Sequence, residues 1–84
     1  IPRILVLHGA DDPYVPDSEV AGFVAEMRAA KADWQLIWIG NAVHAFTNPA
    51  AGDDPKKGAA YNPLADSRSW TYLETFLAET LKER

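Results

Sequence analysis

Two short, strongly apolar segments, Ile4-Leu5-Val6-Leu7 and Trp34-Gln35-Leu36-Ile37-Trp38-Ile39, are separated by one helix-length stretch. This arrangement constrains the fold more than any other feature of the chain. A continuous apolar run marks a strand covered on both faces, as in parallel sheets. The aromatic and branched residues of the second segment, ended by Gly40, read as a second strand. Between them Val20, Phe23, Val24 and Met27 recur at helical spacing, with Glu19, Glu26, Arg28 and Lys31 on the other positions. The helix is predicted from about Ser18 to about Lys31, capped by Asp17 or Ser18 after Pro16. Strand, helix and strand form a βαβ unit with a right-handed crossover.

A second helix is expected to start near Asn62-Pro63 or at Asp66. Its predicted apolar face is Trp70, Leu73, Leu77 and Leu81, broadened by Phe76. Residues 50–63 read as a long loop, rich in Gly, Pro, Asp and Lys. The fold class is thus α/β, with two parallel strands and two helices. Such a unit is incomplete as a stand-alone domain, because both sheet edges carry unpaired backbone groups. The chain begins at Ile1 without methionine, which leads us to expect part of a larger α/β domain. Self-association as a homo-oligomer through an exposed sheet edge or apolar face is the alternative.

Composition narrows the chemistry. The chain has 84 residues, no cysteine and two histidines. Disulfides and thiolate metal sites are thereby excluded, and without a His-x₃₋₅-His spacing a zinc site is not expected. No cofactor is expected either. The net charge is −4, and Lys56-Lys57 is an isolated pair in a loop, so nucleic acid is not an expected partner. No apolar run approaches the ~18 residues of a membrane span. We therefore expect a soluble, cytoplasmic protein with no membrane partner.

The first strand runs into His8-Gly9-Ala10-Asp11-Asp12-Pro13-Tyr14-Val15-Pro16. Two carboxylates thus sit in a turn at the C-terminal edge of a parallel sheet, the edge where ligands bind in open α/β folds. The second strand runs into Asn41-Ala42-Val43-His44-Ala45-Phe46, placing His44 on the same rim. An Asp that orients a His, which then acts as general base, is two-thirds of a catalytic triad. Taken singly, Asp12 also fits an Asx-turn residue and His44 a surface residue; their joint placement points to chemistry. Asp11 competes with Asp12 for the acidic role. His8 fits a packing role at the strand end. Trp34, Trp38 and Trp70 read as core or interface residues. Acid before histidine is the chain order of α/β-hydrolases, in which the nucleophile comes first. Ser18, Ser67 and Ser69 all lack the G-x-S-x-G setting.

The strings Leu5-Val6-Leu7-His8-Gly9-Ala10-Asp11-Asp12-Pro13-Tyr14-Val15-Pro16, Ala42-Val43-His44-Ala45-Phe46-Thr47-Asn48-Pro49, Gly58-Ala59-Ala60-Tyr61-Asn62 and Arg68-Ser69-Trp70 resemble the C-terminal part of dienelactone hydrolase-like proteins. The D-x-x-V-P element is shared with prolyl oligopeptidase-type peptidases and other esterases. The His-x-Phe and Ala-Tyr-Asn elements narrow the resemblance. It covers nearly the whole chain and implies that residues 1–84 are the C-terminal βαβα portion of an α/β-hydrolase. It also implies a triad of an upstream Cys or Ser, Asp12 as the acid before x-x-V-P, and His44 as the base. The substrate would be a small-molecule ester or lactone, with Tyr14, Phe46 and the Asn48–Tyr61 loop beside it. Without the upstream nucleophile the segment is expected to be inactive alone. The alternatives are a carboxylesterase, a prolyl oligopeptidase-type peptidase, or a non-catalytic association module.

Overall fold

The computed structural model describes residues 3–82. Strand β1 (Arg3–Gly9) is followed by helix α1 (Asp17–Ala30), strand β2 (Asp33–Ile39) and helix α2 (Pro63–Lys82). Two 3₁₀ turns, Pro49–Ala51 and Pro55–Lys57, lie in the connection between β2 and α2. The strands are parallel and aligned end to end, from Arg3 opposite Asp33 to Gly9 opposite Ile39. Both strands therefore end at the same level. At the opposite end the Arg3 guanidinium meets the Asp33 carboxylate at 3.2 Å.

Alternation along the strands separates two faces. Ile4, Val6, His8, Trp34, Leu36 and Trp38 share one face by register. Helix α1 lies on this face, where Phe23 meets Trp34 edge-on at 6.1 Å. The predicted stripe of α1 is its inner side: Val20 is buried, and Phe23, Val24 and Met27 are half-buried. The cap differs from expectation. Pro16 occupies the N-cap position and no side chain caps the helix. Asp17 already lies inside the first turn, where its charge suits the helix dipole. Lys31 ends the helix in a left-handed conformation, φ 51°.

The other face carries the core cluster of Ile39, Ala42, Phe46 and Ala65, with Leu7 and Ile37 packed against it. Helix α2 starts at Pro63, and the Asn62 side chain accepts the Ala65 N–H at 3.0 Å. This is the earlier of the two expected starts. Its packed side is only partly the expected one: Leu73 and Phe76 are half-buried as expected, but they are joined by buried Ala65 and Ser69 and half-buried Thr80. Trp70 is 57% exposed, and Leu77 and Leu81 are also exposed. The small side chains at positions 65 and 69 let the helix approach the sheet closely, and that approach sets its rotation. Trp38 is exposed as well, so within this chain neither it nor Trp70 belongs to the core. No helix among the described residues is long and apolar enough to cross a membrane.

Candidate active site

The level strand ends bring two turns together. Backbone pairing continues past the strands, with Ala10 N–H donating to the Ile39 carbonyl and Asp11 N–H to the Ala42 carbonyl, each at 2.9 Å. Asp12 N–H donates back to the Gly9 carbonyl at 3.1 Å and closes the acid turn. Gly9 is required here. A Cβ would lie 2.7 Å from the Ala42 oxygen and 2.8 Å from the Val43 oxygen.

The Asp12 carboxylate divides its oxygens. Oδ1 accepts the backbone N–H groups of Tyr14 at 2.8 Å and Val15 at 3.3 Å. This is the Asx-turn geometry that Asp adopts before a residue without an N–H. Oδ2 lies 3.0 Å from His44 Nδ1. Burial pushes the Asp12 carboxyl up. The hydrogen bond from His44, the two amides and the attraction of the imidazole outweigh it, and the group is held below the ordinary aspartate value. Its side chain is only 7% exposed, whereas that of His44 is 51% exposed.

His44 sits in an unusual backbone. Asn41 and Ala45, on either side of it, have φ 65° and 60°, a left-handed region costly for a residue with a Cβ. The connection to α2 holds this turn in place. His44 N–H donates to the Gly58 carbonyl at 3.1 Å, and Ala60 N–H donates to the His44 carbonyl at 3.0 Å. This is an isolated parallel bridge between His44 and Ala59. Asn48 N–H binds the Ala45 carbonyl, and Asn62 N–H binds the Phe46 carbonyl.

Because a carboxylate only accepts, His44 Nδ1 carries the proton in this contact and Nε2 is left as an acceptor. No hydrogen-bond partner for Nε2 lies among the described residues. The arrangement can take up a proton at Nε2 while Asp12 stabilises the resulting imidazolium.

The other candidate residues are placed as follows. Tyr14 lies edge-on to the His44 ring with centroids 5.2 Å apart, and is exposed on the rim. Phe46 corrects its expectation. At 8% exposure it is a member of the core cluster, not a wall of the rim. It follows His44 by two residues and anchors that turn from below. Asp11 is exposed, and among the described residues its carboxylate has no partner. His8 is buried on the α1 face, edge-on to Trp38 at 5.2 Å. Ser69 is buried in α2, its hydroxyl donating to the Asp66 carbonyl. No group of three metal-ligating side chains occurs among the described residues.

Comparison with known proteins agrees with this architecture. The model of the dienelactone hydrolase family matches residues 2–81. The chain belongs to the dienelactone hydrolase family. It is 38% identical over 76 residues to the uncharacterized protein K02A2.1 of Caenorhabditis elegans, covering 90% of this chain and 48% of that one. Among solved structures, the protein m3DLH matches with a TM-score of 0.83 and 43% identity, over 92% of this chain and 32% of its own. The dienelactone hydrolase-like promiscuous phosphotriesterase P91 from metagenomic libraries matches with a TM-score of 0.81 and 47% identity, over 89% of this chain and 31% of its own. The chain thus spans about half of the curated relative and about a third of each solved one. Its two parallel strands and two helices are a portion of the dienelactone hydrolase α/β fold.

The segment that holds His44 was not legible in the sequence. The Asn48–Tyr61 segment reads as a loop beside a substrate, yet Gly58 and Ala60 bind the His44 backbone directly. The available signals were the Asn48-Pro49 and Asp54-Pro55 pairs. Each of these side chains caps a 3₁₀ turn by accepting the N–H two residues on.

Proposed function

We propose that Asp12 and His44 are the acid and base of a nucleophile–His–Asp triad that hydrolyses esters or lactones. The observation that carries this reading is the 3.0 Å contact between Asp12 Oδ2 and His44 Nδ1, which leaves Nε2 facing away from the acid. The nucleophile, a Ser or Cys, lies outside residues 1–84 in this reading, which makes the chain the C-terminal segment of the enzyme. His44 Nε2 takes the nucleophile's proton as that atom attacks the carbonyl carbon. The tetrahedral intermediate collapses, its alkoxide leaves with the proton from His44, and an acyl-enzyme remains. His44 then takes a proton from water; the hydroxide attacks the acyl carbon. Collapse of the second intermediate releases the carboxylic acid and returns the proton to the nucleophile. Asp12 stays ionised throughout and holds the Nδ1–H tautomer. Tyr14 borders the site where the acyl group would lie.

The family supports a hydrolase in general, and membership of a phosphotriesterase in it motivates testing phosphotriesters alongside carboxylic esters. The deciding experiment uses the intact protein with Asp12→Asn and His44→Ala. Each is expected to lower kcat for an aryl ester by about 10³–10⁴-fold with the fold retained. Wild-type hydrolysis by either variant overturns the assignment.

A further inference from the structure

We propose that Gly58 is a positioning residue for the His44 imidazole, acting as a wedge point between the acid turn and the histidine turn. The inference rests on the Asp12–His44 reading above. Three observations converge on this one residue. Its carbonyl accepts the His44 N–H. Its backbone has φ +86°, in the left-handed region that favours glycine. Its α-carbon also packs so closely on the acid turn that a Cβ would lie 2.9 Å from Pro13 Cγ and 3.4 Å from the Tyr14 ring.

Pro13 and Tyr14 directly follow Asp12, and Tyr14 also touches the His44 ring. The Tyr14 hydroxyl reaches the Lys57 carbonyl, next to Gly58, at 3.5 Å. The distance between the two turns is therefore set by the thickness of a residue without a side chain. The neighbouring conformation is strained, since Ala45 holds φ 60° immediately after His44. A left-handed alanine persists only where its surroundings over-determine it, and the His44 bridge to Gly58 and Ala60 supplies that constraint. Half-exposed and bound through one ring nitrogen, the imidazole depends on this backbone clamp for its direction. A Cβ at position 58 would push the clamp away from Pro13 and carry His44 off Asp12.

Gly52 is the control for backbone strain. Its φ is nearly the same, +83°, and its ψ of −169°, against −14° at Gly58, strains a side chain at least as much, but a Cβ there meets nothing within 4 Å. Gly52→Ala thus bears the backbone strain without the wedge. In the intact protein, kcat and KM for 4-nitrophenyl acetate are measured together with solvent exchange of the His44 Nδ1–H by NMR. Gly58→Ala is expected to speed that exchange and to lower kcat by about 10- to 100-fold, with KM changed less than about twofold. Gly52→Ala is expected to alter exchange and kcat by less than about twofold. Adding Pro13→Ala to Gly58→Ala removes the colliding atom and is expected to restore at least about half of the lost signal. Equal effects of the two glycine substitutions, or no recovery with Pro13→Ala, overturn the proposal. If Gly58→Ala fails to fold, the double variant Gly58→Ala with Pro13→Ala is expected to fold, with Nδ1–H exchange within about threefold of the wild type; a double variant that also fails to fold while Gly52→Ala folds overturns the wedge. Faster exchange in a folded Gly58→Ala variant with kcat unchanged supports the positioning role, and overturns instead the reading of His44 as the base.

Discussion

The Asp12 carboxylate is held on both oxygens, by backbone amides at Oδ1 and by the His44 ring at Oδ2. These bonds favour its charged form, which has a consequence for stability. Asp12 loses its proton at lower pH when folded than when unfolded. Between those two values the unfolded chain binds more protons, so stability rises with pH. The increment is fully present above the unfolded aspartate value of about 4 and is lost as pH falls through the lower folded value. Denaturant midpoints of the wild type and Asp12→Asn are therefore expected to differ most at neutral pH and to converge below about pH 4. A gap that persists at low pH would contradict the Asp12 contribution. At this scale the sequence was informative: Pro13 has no N–H, so the Asp12 carboxylate turns to the amides of Tyr14 and Val15. Asp11 has no such partners, and its side chain stays in solvent.

At the scale of elements, glycines separate positions set by packing from positions set by propensity. Gly9 ends β1 against the carbonyls of Ala42 and Val43, whereas Gly22 lies within α1 with nothing within 4 Å of a Cβ. Gly9→Ala is expected to destabilise the fold by about 1–3 kcal/mol, through overpacking against backbone that cannot rotate away. Gly22→Ala is expected to stabilise it by about 0.4–1 kcal/mol, because the unfolded chain loses conformational freedom. Urea unfolding of the two variants checks both signs. The strands and α1 were legible because their apolar periods match their burial. The face of α2 was legible only in part. Counting large apolar residues found Leu73 and Phe76, which are half-buried, but also favoured Trp70, Leu77 and Leu81, which are exposed, whereas Ala65 and Ser69 are the residues that fit beneath the helix. Small residues at a close contact look neutral in a sequence, since their value lies in the space they leave.

For the whole molecule, a two-stranded sheet presents two outer edges, and Trp38, Trp70, Leu77 and Leu81 are exposed. Unpaired strand edges and exposed large apolar side chains favour association. The isolated 84-residue chain is expected to self-associate with increasing concentration in the micromolar range, as read by sedimentation velocity. A single monomeric species across that range would show that these surfaces are tolerated in water.

By itself the amino-acid sequence determined the order and type of the elements, the parallel pairing, and the placing of Asp12 and His44 on one rim. These follow from local periodicity, from the turn chemistry of Pro and Gly, and from the rule that consecutive parallel strands end on the same edge. Only the tertiary structure decided that Phe46 belongs to the core, that α2 turns Trp70 outward, and that residues 58–60 clamp the histidine. Each of these depends on which atoms meet across long stretches of chain. Gly58 and Pro13 stand 45 positions apart, and no local pattern encodes the 2.9 Å that separates the missing Cβ of one from the ring of the other.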